Sequence, residues 1–174
     1  MSVTGTIEFT PEMKKRFEAT VAKYEQPVSA LLPTLYLAQE QFGYLSSEVL
    51  GYVAKILNIP TAHAIEAATF YTMFKKKDMG KWCLQVCNNV TCTMMGSEEL
   101  IAVVKEELGI ELHGKTADNQ FSMIPVQCLG SCDTAPVVQV NDDYVENLNP
   151  DKLRQLIRKL KGERTTTSEE AVRT

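Results

Sequence analysis

The chain has 174 residues, of which 44 % are apolar and 23 % charged, a balance near that of ordinary globular proteins. This excludes a disordered, collagen-like or highly charged tail protein and leaves room for one ordinary domain or two small ones. The formal charge is −4, which argues against a protein that binds nucleic acid by neutralising phosphates.

Residues 10–74 read as helices. Thr10 is an N-cap residue, and Pro11 occupies the first helical position, where its missing N–H costs nothing. Met13, Phe17, Val21 and Tyr24 then share one face. A second helix is expected over about 28–42, with Leu31, Leu35, Ala38 and Phe42 on a stripe. Pro33 inside that pattern predicts a kink or a displaced start, and Gly43 ends it. A third helix opens near Ser46 and presents Val49, Val53 and Ile56 or Leu57. A fourth follows Pro60 and runs through His63, Ile65, Ala68 and Phe70 to about Phe74. Its aromatic end reads as core or interdomain packing, and His63 as a surface or core residue, not a ligand. Four short amphipathic helices make a small helical bundle, assigned to residues 1–78.

The basic run from Lys75 to Lys81 reads as a solvated linker. Beyond it the period changes. Trp82 to Cys87 is expected as a strand, followed by a loop and a helix capped by Ser97 with Glu98 and Glu99 in its first turn. Phe121 to Val126 is a second strand, and Pro125 predicts an edge or a bulge. Val137 to Val140 and Tyr144 to Glu146 flank Asn141-Asp142-Asp143, a hairpin pattern. Asn149 and Pro150 open a last helix with Leu153, Leu156, Ile157 and Leu160 on its stripe. The order β-α-β-β-α over 79–162 gives an α+β, thioredoxin-like layout. Residues 163–174 are polar, without a stripe, and read as a disordered tail.

The five cysteines all lie between positions 83 and 132. No apolar run reaches the ~18–20 residues that span a bilayer, so no direct membrane insertion is expected. The first nine residues lack a basic segment followed by an apolar one, so no secretory signal is read. The expected compartment is therefore reducing, where grouped cysteines more often bind metal or do redox chemistry than form disulfides. Cys87 and Cys92 form a C-x4-C pair, and Cys128 and Cys132 a C-x3-C pair. Each pair follows a predicted strand, so two loops in one sheet can bring four thiolates together. Zinc knuckles favour short spacings; a [2Fe–2S] cluster is wider, and the longer C-x4-C suits it. On spacing alone the iron–sulfur reading leads, and structural zinc in an interaction module is the alternative. Rieske ligation is excluded because His63 and His113 lie away from both pairs, and thioredoxin-type dithiol chemistry because no C-x-x-C occurs. Gly130 is expected to allow a close backbone approach to a cluster. Cys83 lies on the same strand face as Cys87 but ~13 Å away at ~3.3 Å per residue, so it reads as a buried apolar filler.

Particular stretches resemble a known family. They are Leu32-Pro33-Thr34-Leu35 with Ala38-Gln39, Ala68 to Phe74, Val86 to Cys92, Val126 to Cys132, and Ala135 to Asn141. Over about residues 10–160 the chain resembles the small [2Fe–2S] subunit of the NADH dehydrogenase module of respiratory complex I, NADH:quinone oxidoreductase. NAD-linked hydrogenases and formate dehydrogenases reuse that module. The resemblance implies a thioredoxin-like ferredoxin domain behind a helical bundle that packs on a flavoprotein subunit carrying FMN and NADH. It also implies one [2Fe–2S] cluster held by Cys87, Cys92, Cys128 and Cys132, with no ligand at Cys83. The implied role is an electron-transfer subunit within a larger respiratory or NAD-linked complex. In complex I it would be cytoplasmic and peripheral on the cytoplasmic side of the membrane; in the alternative it would serve a soluble hydrogenase or formate dehydrogenase. No G-x-G-x-x-G occurs, so hydride chemistry belongs to the partner, and no catalytic residue is assigned on this chain.

Overall fold

The computed structural model describes residues 7–162; the tail expected at 163–174 lies outside them. The chain divides into two compact units, Met1–Asp78 and Met79–Thr174.

The first unit is a helical bundle of α1 (Pro11–Val21), α2 (Leu31–Phe42), α3 (Ser47–Leu57) and α4 (Thr61–Phe70). Thr10 caps α1 by accepting the Met13 N–H at 3.2 Å, and Ser46 caps α3 by accepting the Val49 N–H at 3.3 Å. Each satisfies one of the amide donors left over at a helix start. The proline in the second helical pattern displaces the start: a 3-10 turn, Pro27–Ala30, precedes α2, and Pro33 sits in the first turn, where no N–H is required. Tyr24 falls beyond the end of α1 and is exposed, so the expected stripe stops at Val21. The core gathers Leu35, Ala38, Val49, Val53, Ala64 and Ala68. Phe9 closes one end, its ring 5.2 Å from that of Tyr52 and its N–H donating to the Tyr52 hydroxyl at 2.8 Å.

The fourth helix is shorter than its periodicity predicts. It stops at Phe70 because Tyr71 adopts extended backbone, at φ −87° and ψ 116°. A long-range clamp explains the break. Gln39 on α2 accepts the Lys75 N–H at 2.6 Å and donates to the Met73 carbonyl at 3.2 Å. This turns the chain back and drives Phe74 into the core, where it is 2 % exposed while Phe70 is 78 % exposed. The buried positions of α4 are Ala64 and Ala68, and Ile65 and His63 face solvent.

The second unit contains β1 (Trp82–Cys87), α5 (Val90–Met94), α6 (Ser97–Leu108), β2 (Phe121–Val126), β3 (Val138–Val140), β4 (Asp143–Val145) and α7 (Pro150–Gly162). The sheet order is β2-β1-β3-β4. β1 runs parallel to β2 and antiparallel to β3, and β3 pairs antiparallel with β4. A parallel pair needs a crossover, and α6 lies within it. β2 is an edge strand, which is where Pro125 is tolerated. Trp82, Leu84 and Val86 from β1 meet Leu100 and Val104 from α6 and Leu153 and Ile157 from α7 in one core. Two details depart from the sequence expectation. The cap of α6 is Gly96, at φ 97°, and Ser97 is a buried first-turn residue. The stretch read as loop after β1 contains the short helix α5, started by Asn89. Among the described residues no helix is long and apolar enough to cross a membrane.

The hairpin turn is fastened to β1 by Asn141, at φ 55°. Its side chain accepts the Cys83 N–H and donates to the Lys81 carbonyl, both at 3.0 Å. Its N–H donates to the Cys83 carbonyl at 3.0 Å, and its carbonyl accepts from Gln85 at 3.0 Å. Replacing Asn141 by alanine leaves two backbone groups without their partners and puts alanine at a left-handed φ. The expected loss is about 1–3 kcal/mol, read as a lower denaturation midpoint by fluorescence of Trp82, the single tryptophan. An unchanged midpoint would show that water replaces the amide without cost.

Candidate metal centre

The parallel pairing of β1 and β2 places Cys87 in register with Val126. The chain therefore leaves both strands at the same end of the sheet, on adjacent strands. From β1 come Cys87, the last strand residue, and Cys92 within α5; from β2 comes the loop that carries Cys128 and leads into a 3-10 turn beginning at Cys132. The two loops are joined by backbone. The Asn88 N–H donates to the Val126 carbonyl at 2.9 Å, and the Cys87 N–H to the Val137 carbonyl at 3.2 Å.

Cys87 and Cys92 are buried in a small apolar cluster with Ala135, flanked by Val126 and Leu129. Cys128 and Cys132 are exposed, and none of the five cysteines is in a disulfide. The Cys87 thiol points toward the Gln127 carbonyl, with sulfur and oxygen 3.8 Å apart. Burial pushes the Cys92 thiol up to about 11, helped by a hydrogen bond with Cys87 and by the charges of Cys87 and Cys132. Cys92 thus lies near enough to Cys87 and to Cys132 to feel both. A thiol so placed must give up its proton to ligate a metal, so loading at Cys92 releases one. Among the described residues, no three His, Cys, Asp or Glu side chains close around a point as a single-ion site would require. The four candidate thiols come two from each loop.

Gly130 lies in the left-handed region that favours glycine. Its φ is +78°, and a Cβ there would meet no atom within 4 Å. The Gly130 N–H donates to the Cys128 sulfur at 3.4 Å, the kind of donor that stabilises a metal-bound thiolate. Cys83 is buried at the far end of β1, with its backbone bonded to Asn141. His63 belongs to the other unit, and His113 is exposed at φ 63° in the stretch between α6 and β2.

Pattern reading missed three residues that bear on the second loop. Tyr144 donates its hydroxyl to the Leu129 carbonyl at 2.8 Å. Glu146 accepts from the hydroxyls of Ser131 and Thr134. Asn147 donates its N–H to the Thr134 carbonyl at 2.8 Å. These partners are 12–15 residues apart and meet only because the β3–β4 hairpin folds back, so local spacing carries no signal for them.

A family model described as thioredoxin-like [2Fe-2S] ferredoxin matches residues 17–161. The chain belongs to that family. Its cofactor is one [2Fe–2S] cluster, which decides between the iron–sulfur and zinc readings of the donor set. The residues present fit such a group: two thiols from each of two adjoining loops, an apolar lining, and a backbone N–H on sulfur. Among similar chains, a subunit of the NADH-quinone oxidoreductase of Rickettsia bellii (strain RML369-C) is 46 % identical over 149 residues, covering 84 % of this chain and 89 % of its own. The corresponding NADH-quinone oxidoreductase subunit of Rhizobium meliloti (strain 1021) is 41 % identical over 160 residues, covering 91 % and 95 %. A solved NAD+-reducing [NiFe]-hydrogenase in the H2-reduced state superposes with a TM-score of 0.68 at 21 % identity. That match covers 78 % of this chain and 22 % of the hydrogenase chain, and at that identity the likeness is one of fold.

Proposed function

We propose that this chain is the electron-transfer subunit of an NADH:quinone oxidoreductase, exchanging single electrons with FMN on a partner flavoprotein subunit that oxidises NADH. Cys87, Cys92, Cys128 and Cys132 hold the cluster, one pair on each iron. The observation that carries the reading is the pair of cysteine loops at one end of the parallel β1/β2 pair, in a chain of a [2Fe–2S] family. The names of the relatives favour the respiratory complex over a soluble hydrogenase or formate dehydrogenase. The protein works at the cytoplasmic face of the membrane as a peripheral subunit.

When bound, a [2Fe–2S] cluster accepts and returns one electron at a time. The chain's part is to hold it. The β1 and β2 ends fix the spacing of the two thiolate pairs, the lining of Val126, Leu129 and Ala135 limits water around the buried pair, and Gly130 directs an amide at sulfur. A hydride needs a two-electron acceptor at near-attack distance, and that acceptor is the partner's flavin.

Purified alone with its cluster, the chain is expected to show iron–sulfur absorption that NADH does not bleach. With the flavoprotein subunit added, stopped-flow mixing with NADH should bleach it, at a rate that depends on the partner. Rapid bleaching of the isolated, flavin-free chain would sink the reading of a pure electron carrier. So would a cluster that stays oxidised when the paired flavin is reduced.

A further inference from the structure

The loop that carries Cys128 and Cys132 is fastened to the β3–β4 hairpin by side chains. Tyr144 holds it at the Leu129 carbonyl, at 2.8 Å. Just past β4, Glu146 Oε1 accepts from Thr134 Oγ1 at 2.8 Å and from Ser131 Oγ. The two hydroxyl oxygens are 2.8 Å apart. Ser131 directly precedes Cys132, so a hydroxyl adjoining a cysteine is committed to a carboxylate. The same two hydrogen bonds hold the Glu146 carboxyl below its ordinary range, Ser131 contributing most, so the group is ionised at neutral pH.

A hydroxyl beside a cysteinyl sulfur can donate to that sulfur, which draws off negative charge and favours the reduced cluster. An ionised carboxylate is the stronger acceptor and captures the hydroxyl. The carboxylate also brings its own negative charge, which opposes the addition of an electron. Glu146 is exposed, so solvent screens that charge, but capture of the hydroxyls is a contact effect that screening leaves intact. Both effects push the potential in the same direction.

We propose that Glu146 is a positioning residue for the metal centre: it turns the Ser131 and Thr134 hydroxyls away from the sulfurs of the second loop and so holds the cluster's reduction potential down. The inference rests on ligation by Cys128 and Cys132.

The test uses the full chain loaded with its cluster, as wild type, Glu146→Gln, Ser131→Ala and the double variant. Iron and sulfide content and the visible spectrum come first, because they test ligation by themselves; a wild type that binds no iron and sulfide overturns both the ligation and the inference. A redox titration followed by electron paramagnetic resonance then reads the potential. Glutamine keeps the size of Glu146 and one acceptor oxygen but removes the charge. Glu146→Gln should keep full iron and sulfide content and shift the reduced-to-oxidised ratio at a fixed poise by about threefold or more toward reduced. Ser131→Ala alone should leave the potential at the wild-type value, and in the Glu146→Gln background it should take back part of the shift. An unchanged or lowered potential in Glu146→Gln overturns the proposal. Should that variant fail to hold its cluster, Ser131→Ala decides alone: a lowered potential means that Ser131 already donates to sulfur and refutes the capture, and a wild-type potential supports it.

Discussion

Alanine at any one of Cys87, Cys92, Cys128 or Cys132 is expected to abolish the visible absorption of an intact [2Fe–2S] centre. Each iron takes two thiolates, and neither water nor a backbone carbonyl replaces a soft thiolate on iron–sulfur. The effect should be near-complete at the buried positions, Cys87 and Cys92, because the apolar lining of Val126, Leu129 and Ala135 offers no substitute donor. At the exposed positions, Cys128 and Cys132, a labile remnant with reduced iron content is the most that should survive. Cys83→Ala should keep the full spectrum, since Cys83 is at the other end of β1 and its fastening to Asn141 runs through the backbone. Visible spectra with iron and sulfide analysis across the five variants settle the matter. Colour retained in one of the four variants together with loss in Cys83→Ala would overturn the assignment.

Leu84→Ala should be the costliest of the stability changes considered. Leu84 is fully buried on β1, one of the two interior strands, in register with Met123 on β2 and Val140 on β3. Truncating such a leucine removes its burial and leaves a cavity that close-packed neighbours only partly fill, at about 2–5 kcal/mol. A domain is stable by only about 5–15 kcal/mol, so much of the margin of the second unit would go. Trp82 belongs to the same core and is the only tryptophan, so denaturant unfolding followed by its fluorescence reports on this unit and not on the helical bundle. A midpoint shift no larger than that of Asn141→Ala would show that the sheet collapses around the missing side chain.

Much of the architecture was legible in the residues. Thr10 and Ser46 act as caps because short hydroxyl side chains reach the orphan amides of a helix start. Pro33 displaced a helix start because its ring cannot sit deeper in a helix, and Pro125 marked an edge strand because it cannot donate to a ladder. These are local effects, decided within four residues along the chain, and the alternation and stripes of β1, α6 and α7 are local in the same sense. The cysteine pairs were also legible, since spacing and residue type suffice to suggest a soft metal centre.

Tertiary structure decided what depends on partners distant in sequence. The fourth helix ends at Phe70, and not near Phe74, because Gln39 captures the backbone at Met73 and Lys75; helical periodicity cannot register a hydrogen bond across some 35 residues. The pairing of β1 with β2 in parallel brings the two cysteine loops to one end of the sheet, although neither loop encodes the other's position. The choice of Gly96 over Ser97 as the cap of α6 turned on a left-handed backbone angle that only the surrounding chain imposes. Glu146 and Tyr144 reach the second loop through the hairpin alone. The sequence by itself determined the donor chemistry and the local elements, because those follow from side-chain type and short-range sterics. The placement of the donors, and the groups that surround them, were decided by long-range pairing and by the burial that pairing enforces.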